Sequence, residues 1–305
     1  MKTFLSKQKV IWLTVFVIFA GVLSLGLSTH SVQAANDSLG LDGKRVSIAT
    51  AIDTNKVIDI ADRGKPSERP IIYPYHGRSN QIFTLQYDSQ YNGYYIIQNG
   101  RYLRAVTGSL DLELSNTYRF LWRIELVDRV NGYYTIKVQS NLDYALDVKN
   151  SNVGSDTKVQ VFSVNNTDAQ KWKITPLIDD GYYRIKSGFD PNKAITLLNN
   201  SPAKIDISTI QSGSTQTWGI FYDPNKGGYT IKSMPFPLIS LVWGQNDPNR
   251  WYWIIEKTSD GYFKLRNFED RNKVLAITTD GNHFVDPMLD DRDTIFQKWI
   301  LERIK

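Results

Sequence analysis

Residues 145–172 read ALDVKNSNVGSDTKVQVFSVNNTDAQKW. Apolar side chains alternate through the run that ends Lys-Val-Gln-Val-Phe162, the period of a β-strand with one face buried. One acid, Asp147, precedes an amide, Gln160, by thirteen positions; a ring, Phe162, follows two later, and the stretch closes on Gln170-Lys-Trp172. The rest of the chain repeats this stretch in more eroded form.

Five further closures match it: Gln81-Ile-Phe83, Phe120-Leu-Trp122, Gln216-Thr-Trp218, Trp251-Tyr-Trp253 and Gln297-Lys-Trp299. Intervals of 39, 50, 46, 35 and 46 residues separate the closing aromatics, so six units of one design differ in loop length. Each unit also carries a Gly leading into aromatic and β-branched residues, at Gly43, Gly93, Gly132, Gly181, Gly228 and Gly261. Each follows Asn, Asp or Gly, which predicts a tight hairpin turn entering a strand. No long helical periodicity follows the N-terminal segment, so the expected class is all-β. A unit of this size cannot bury its own apolar face, and neighbours must complete a shared core.

The N-terminal segment has the layout of a secretory signal peptide over 1–34: Lys2, Lys7 and Lys9, an apolar run from Val10 to Leu27, and small residues at Ala34 and Ala35. The competing reading is a retained anchor, because the run approaches the roughly 18–20 residues that span a bilayer. Cleavage implies a secreted, extracellular protein. The formal charge of +5 falls to +2 without the three leader lysines, so nucleic acid is not an implied partner. There is no cysteine, and stability must come from burial alone. Eight Trp, seventeen Tyr and thirteen Phe can fill a core, line a ligand site, or both.

A repeat of this length closing in Gln-x-Trp resembles the ricin B-type lectins. That resemblance covers essentially everything after the leader and implies the β-trefoil, three units around a pseudo-threefold axis. Six units imply two tandem trefoils, 41–175 and 177–305, joined at Pro176 and the Ile178-Asp-Asp-Gly181 turn by a short linker with a fixed interface. The arrangement looks most like the haemagglutinin component of clostridial neurotoxin complexes. The resemblance implies binding of galactose- or N-acetylgalactosamine-containing glycans, no cofactor, and a toxin-complex partner protein as a further expectation. Such modules also occur joined to glycosidases and ADP-ribosylating toxins, but no catalytic domain is expected here.

Chemistry supports the sugar expectation. A carboxylate accepts hydrogen bonds from adjacent hydroxyls, amides add donors and acceptors, and a ring covers an apolar C–H face. The family places its acid in a Leu-Asp-Val-like strand, its ring downstream, and an Asn just before the Gln of Gln-x-Trp. In unit three Asp147, Gln160, Phe162 and Gln170 match in type and order, with Ala169 in place of the Asn and Asn165 or Asn166 as compensating amides. In unit one Asp59, Tyr73, Asn80 and Gln81 match, Ile71 replaces the amide, and His76 lies in the loop, facing either ligand or water. Arg104, Thr196 and Ala276 take the acid's place in units two, four and six, and Ser240 or a neighbour does so in unit five. Their closing Trp residues read as core wedges. Trp243, Trp251 and Tyr252 are candidates for a site of another design.

Nothing in the sequence builds an enzyme of recognisable type: two histidines, His76 and His283, follow the leader, with no nucleophile elbow and no HExxH. The run Asp290-Asp-Arg-Asp293 lacks the alternation of a calcium loop and reads as a solvated turn. A different class also fits the fold, because trefoils serve as protease inhibitors and as adaptors in toxin complexes.

Overall fold

A computed structural model describes residues 37–61, 68–200, 203–237, 239–241, 249, 251–278 and 285–304. The leader, Trp243 and His283 lie outside the described residues, and with them the choice between cleavage and anchoring. Asp37–Lys305 form one compact unit that contains two sheets.

Among the described residues the secondary structure is strand, apart from one-turn 3-10 segments. Four of these, Ser79–Gln81, Asp168–Gln170, Ser214–Gln216 and Ile295–Gln297, are the Gln-x-Trp/Phe closures. The first sheet has twelve strands, from Arg45–Thr50 to Trp172–Pro176. Its first and last strands pair antiparallel, Val46 opposite Pro176 through Thr50 opposite Trp172, which closes the barrel. Ten described strands make the second sheet, closed likewise by Gly181–Ser187 against Trp299–Arg303. Closure leaves no open edge across these strands. The fold is two tandem β-trefoils.

Four of the six Gly-aromatic motifs are hairpins: Asp88 faces Gly93, Asp128 faces Tyr133, Asp223 faces Gly228 and Lys257 faces Phe263. Gly43 and Gly181 are not. Each opens a trefoil, and the strand it leads into has no preceding strand of its own sheet to fold back on, so that strand pairs with the last one instead.

Each trefoil has its own core. Phe83, Trp122, Trp172, Trp218, Trp253 and Trp299 are fully buried, as core wedges should be. Each buried indole N–H needs an acceptor. It finds one at the carbonyl of Leu103, Leu146, Ile195, Leu241 or Leu275, at 2.9–3.2 Å. In units two, three, four and six that carbonyl belongs to the residue just before the acid's place. In unit five the acceptor is Leu241, and the residue after it lies outside the described residues.

The junction is tied by backbone and charge. Leu177 N donates to Arg45 O at 2.8 Å, Lys44 pairs with Asp179 at 2.7 Å and Arg45 with Asp180 at 2.9 Å. The loop at 75–79 also rests on the hairpin at 222–228. Tyr222 donates its hydroxyl to Gly77 O, and Ser79 N donates to Pro224 O at 2.8 Å. Gly77 and Gly227 meet with both φ angles positive, and a Cβ on Gly77 would stand 2.7 Å from Gly227 O. No side chain fits there. Burial pushes the hydroxyls of Tyr75, Tyr222 and Tyr229 up from their ordinary range, so all three stay protonated at this seam.

Candidate functional site

The Gln of each closure performs the same structural task. Its Oε1 accepts from the backbone N–H five residues earlier: His76 to Gln81, Asn165 to Gln170, Gln211 to Gln216 and Arg292 to Gln297, at 2.8–3.1 Å. Its Nε2 donates to the carbonyl seven residues earlier: Pro74, Ser163, Thr209 and Asp290, at 2.6–2.9 Å. A buried amide that satisfies two backbone groups of one loop fixes that loop's path over the acid's position. Gln81 and Gln170 therefore act first as loop clamps.

In unit one the strand Asp53–Ala61 carries Asp59 into a pocket where it is 3% exposed. Three side chains converge on its carboxylate. Asn80 Nδ2 donates to Oδ1 at 2.7 Å, Gln81 Nε2 to Oδ2 at 2.9 Å, and His76 Nε2 lies 3.3 Å from Oδ2. Arg78 N donates to His76 Nδ1 at 3.2 Å, so the ring's proton sits on Nε2 and points at the acid. The His76 ring thus faces the Asp59 carboxylate. Ile71 faces Asp59 across the ladder and is buried, so no amide stands there. Tyr73, 38% exposed, forms the rim and meets the His76 ring edge-on at 6.1 Å between centroids.

In unit three the strand Asn141–Val148 carries Asp147, 4% exposed and directly opposite Gln160 in the ladder. Gln160 Nε2 donates to Asp147 Oδ1 at 3.1 Å. Burial pushes the Asp147 carboxyl above the ordinary carboxylate value, against hydrogen bonds from Gln160 and Gln170 that act to lower it. Phe162 is 39% exposed, nearly the same as Tyr73. Ala169 is buried in the core. Asn165 does not compensate through its side-chain oxygen: Oδ1 accepts from Thr167 N at 3.1 Å and Thr167 Oγ1 at 2.8 Å, closing a local turn. Asn166 is exposed in a left-handed conformation at φ 60. The structure therefore brings Asp147, Gln160 and Gln170 together under Phe162, and leaves Asn165 and Asn166 in the loop.

The other units spend the acid's position differently. Thr196 bonds Ser208 at 2.7 Å and receives Gln216 Nε2 at 2.9 Å, while Ala276 is buried. The three acids of Asp290-Asp-Arg-Asp293 are all taken by cations: Asp290 by Lys273 at 2.6 Å, Asp291 by Lys264 at 2.8 Å and Arg266 at 2.7 Å, Asp293 by Lys264 at 2.8 Å. Burial acts to raise the Asp291 carboxyl, but its bonds to Lys264, the Asp293 amide and Arg266 outweigh this and hold it at about 2. Among the described residues no cluster of His, Cys, Asp or Glu is arranged for a metal ion. Trp251 is exposed, and Tyr252 donates its hydroxyl to Asp223 at 2.9 Å.

Comparison with known proteins fits this geometry. Residues 119–204, which include the Asp147 pocket, match the family model for the ricin-type beta-trefoil lectin domain-like proteins. Pierisin of Pieris brassicae is 24% identical over 297 residues, covering 86% of this chain and 34% of its own length. Flavastacin of Elizabethkingia meningoseptica is 30% identical over 109 residues, covering 34% of this chain and 24% of its own. A solved mosquitocidal holotoxin is 25% identical with a TM-score of 0.48, covering 86% of this chain and 34% of that one. The chain thus spans about a third or less of the length of these relatives. The match over 119–204 is to the family to which the Gln-x-Trp repeats point.

Proposed function

We propose that the protein is a secreted, non-catalytic lectin that holds galactose or N-acetylgalactosamine residues of cell-surface glycans in the Asp59 and Asp147 pockets of its first trefoil. The observation that carries this reading is Asp59: a buried carboxylate steered by Asn80, Gln81 and His76 beneath a half-exposed ring. The carboxylate accepts from two adjacent sugar hydroxyls, and Tyr73 or Phe162 covers the opposite C–H face. Galactose suits that division, because its axial 4-hydroxyl gathers the C–H groups at C3, C4 and C5 on one side. Weak shallow sites gain by multiplicity: two on one body raise apparent affinity for a surface by about a hundredfold where the spacing fits.

Retention on immobilised galactose by the wild type, lost in the Asp59→Ala/Asp147→Ala double variant with circular dichroism unchanged, is the expected result. Failure of the wild type to bind any glycan on an array overturns it. A second reading, an adaptor or receptor-binding part of a toxin complex that binds protein, is favoured by the pierisin match, in which a segment of this length is about a third of a longer chain. Protein capture with no glycan retention is its signature.

A further inference from the structure

Unit two keeps the frame of the two pockets and reverses their polarity. The indole bond from Trp122 to Leu103 O puts Arg104 in the acid's place. Arg104 faces Glu113 in the register in which Asp147 faces Gln160. Arg104 Nε donates to Glu113 Oε1 at 2.6 Å, so this charge is balanced from within. Three residues before the closing aromatic, where unit one has Asn80 and unit three Ala169, unit two has Arg119.

Arg119 is exposed and has no carboxylate partner among the described residues. Its guanidinium lies 4.6 Å from the ring centroid of Tyr95 and 5.5 Å from that of Tyr102. Tyr102 and Arg104 stand two apart on the strand Arg101–Ala105 and so share a face, while Tyr118 lies against Arg104 at 5.0 Å. Ser115 Oγ accepts from Thr117 N at 3.2 Å and Tyr118 N at 2.9 Å, which pins the loop that carries Tyr118 and Arg119. Stacking fixes the plane of a guanidinium and leaves its N–H edges free, and that fork matches a carboxylate or sulfate.

We propose that unit two is a second kind of ligand site, one that takes an acidic glycan through the sugar's carboxylate or sulfate group. Arg119 supplies the fork, Arg104 a further donor, and the exposed Tyr118 ring covers the sugar's apolar face. The site is separate from the Asp59 and Asp147 pockets and does not require them to bind neutral sugar.

The test uses the full chain carrying Asp59→Asn and Asp147→Asn, which silences the neutral pockets, titrated with 3′-sialyllactose, lactose 3′-sulfate and lactose. Either acidic probe should bind about tenfold or more tighter than lactose, and the preference should shrink as ionic strength rises. Which acidic probe binds separates carboxylate from sulfate. Arg119→Gln should erase the preference, while Arg119→Lys, which keeps charge and loses the fork, should retain part of it. Equal binding of all three probes, or a preference that survives Arg119→Gln, overturns the proposal. The latter outcome reduces Arg119 to a cover for two tyrosine rings. Lactose binding by the unmodified chain bears only on the galactose reading, so the two can fail separately.

Discussion

Asp59 and Asp147 occupy one place in two copies of one unit, equally buried and under rings of nearly equal exposure, yet their carboxylates are held differently. Asp59 has three side chains converging on it, one of them at each oxygen and a histidine besides. Asp147 has Gln160 across the ladder and Gln170 beneath. A carboxylate offers about four lone-pair sites. The first pocket thus fixes its acceptor at the cost of acceptor capacity, and the second leaves capacity free but lets burial favour the neutral acid. Orientation and availability are separate properties of a binding carboxylate, and this chain samples both.

The largest test acts on what the pockets share. Trp172→Ala should destabilise the first trefoil by about 3–5 kcal/mol, read as a lower thermal midpoint, because it removes a fully buried ring and orphans the Leu146 carbonyl. Both pockets should then fail together; loss at the Asp147 pocket alone would show that the two halves of the barrel are not cooperative. Asp59→Ala comes next, costing roughly 1–3 kcal/mol because Asn80 loses its acceptor and Gln81 one of its two. Asp147→Ala should cost less in a denaturant titration, since it strands chiefly Gln160. Equal costs would break the comparison.

Ala169→Asn sharpens it further. With Asn where unit one has Asn80, the Asp147 pocket should bind galactose several-fold tighter, measured in an Asp59→Asn background. Stability should fall by about 1–3 kcal/mol, because a polar group enters a core position. The smallest effect is pH. The folded carboxyl of Asp147 lies above the ordinary value of 3.8, so the fold favours its neutral form. Its contribution to stability is therefore greatest below that value and declines as pH rises through the raised one. Binding that needs the ionised acceptor runs the other way. In the Asp59→Asn background, galactose retention should fade on acidification at a pH above the ordinary aspartate value of 3.8, and fading only below that value would remove the burial argument.

Much of this fold is legible in the sequence because its signals are local: the closing Gln-x-Trp and the alternation around Asp59 and Asp147 each lie within one short window. What was not legible depends on partners far along the chain. Gly43 and Gly181 carry the same dipeptide signature as the hairpin glycines, and only barrel closure distinguishes them. Asn165 reads as a free amide until its own turn claims it. His76 aims at Asp59 because Arg78 N fixes its tautomer, a relation with no periodic trace. Gln81 and Gln170 read as ligand contacts, and only the recurrence of the same two bonds in four units shows that they also clamp the loop.

The seam at Gly77 and Gly227 makes the first trefoil a poor candidate for miniaturisation. The loop bearing His76 is held from behind by Tyr222 and Pro224, so a fragment cut after Pro176 would keep the sequence of the Asp59 pocket and lose its back wall. That wall belongs to the second trefoil, so the Asp59 pocket is buttressed by the half of the protein whose acid positions are taken by Thr196 and Ala276.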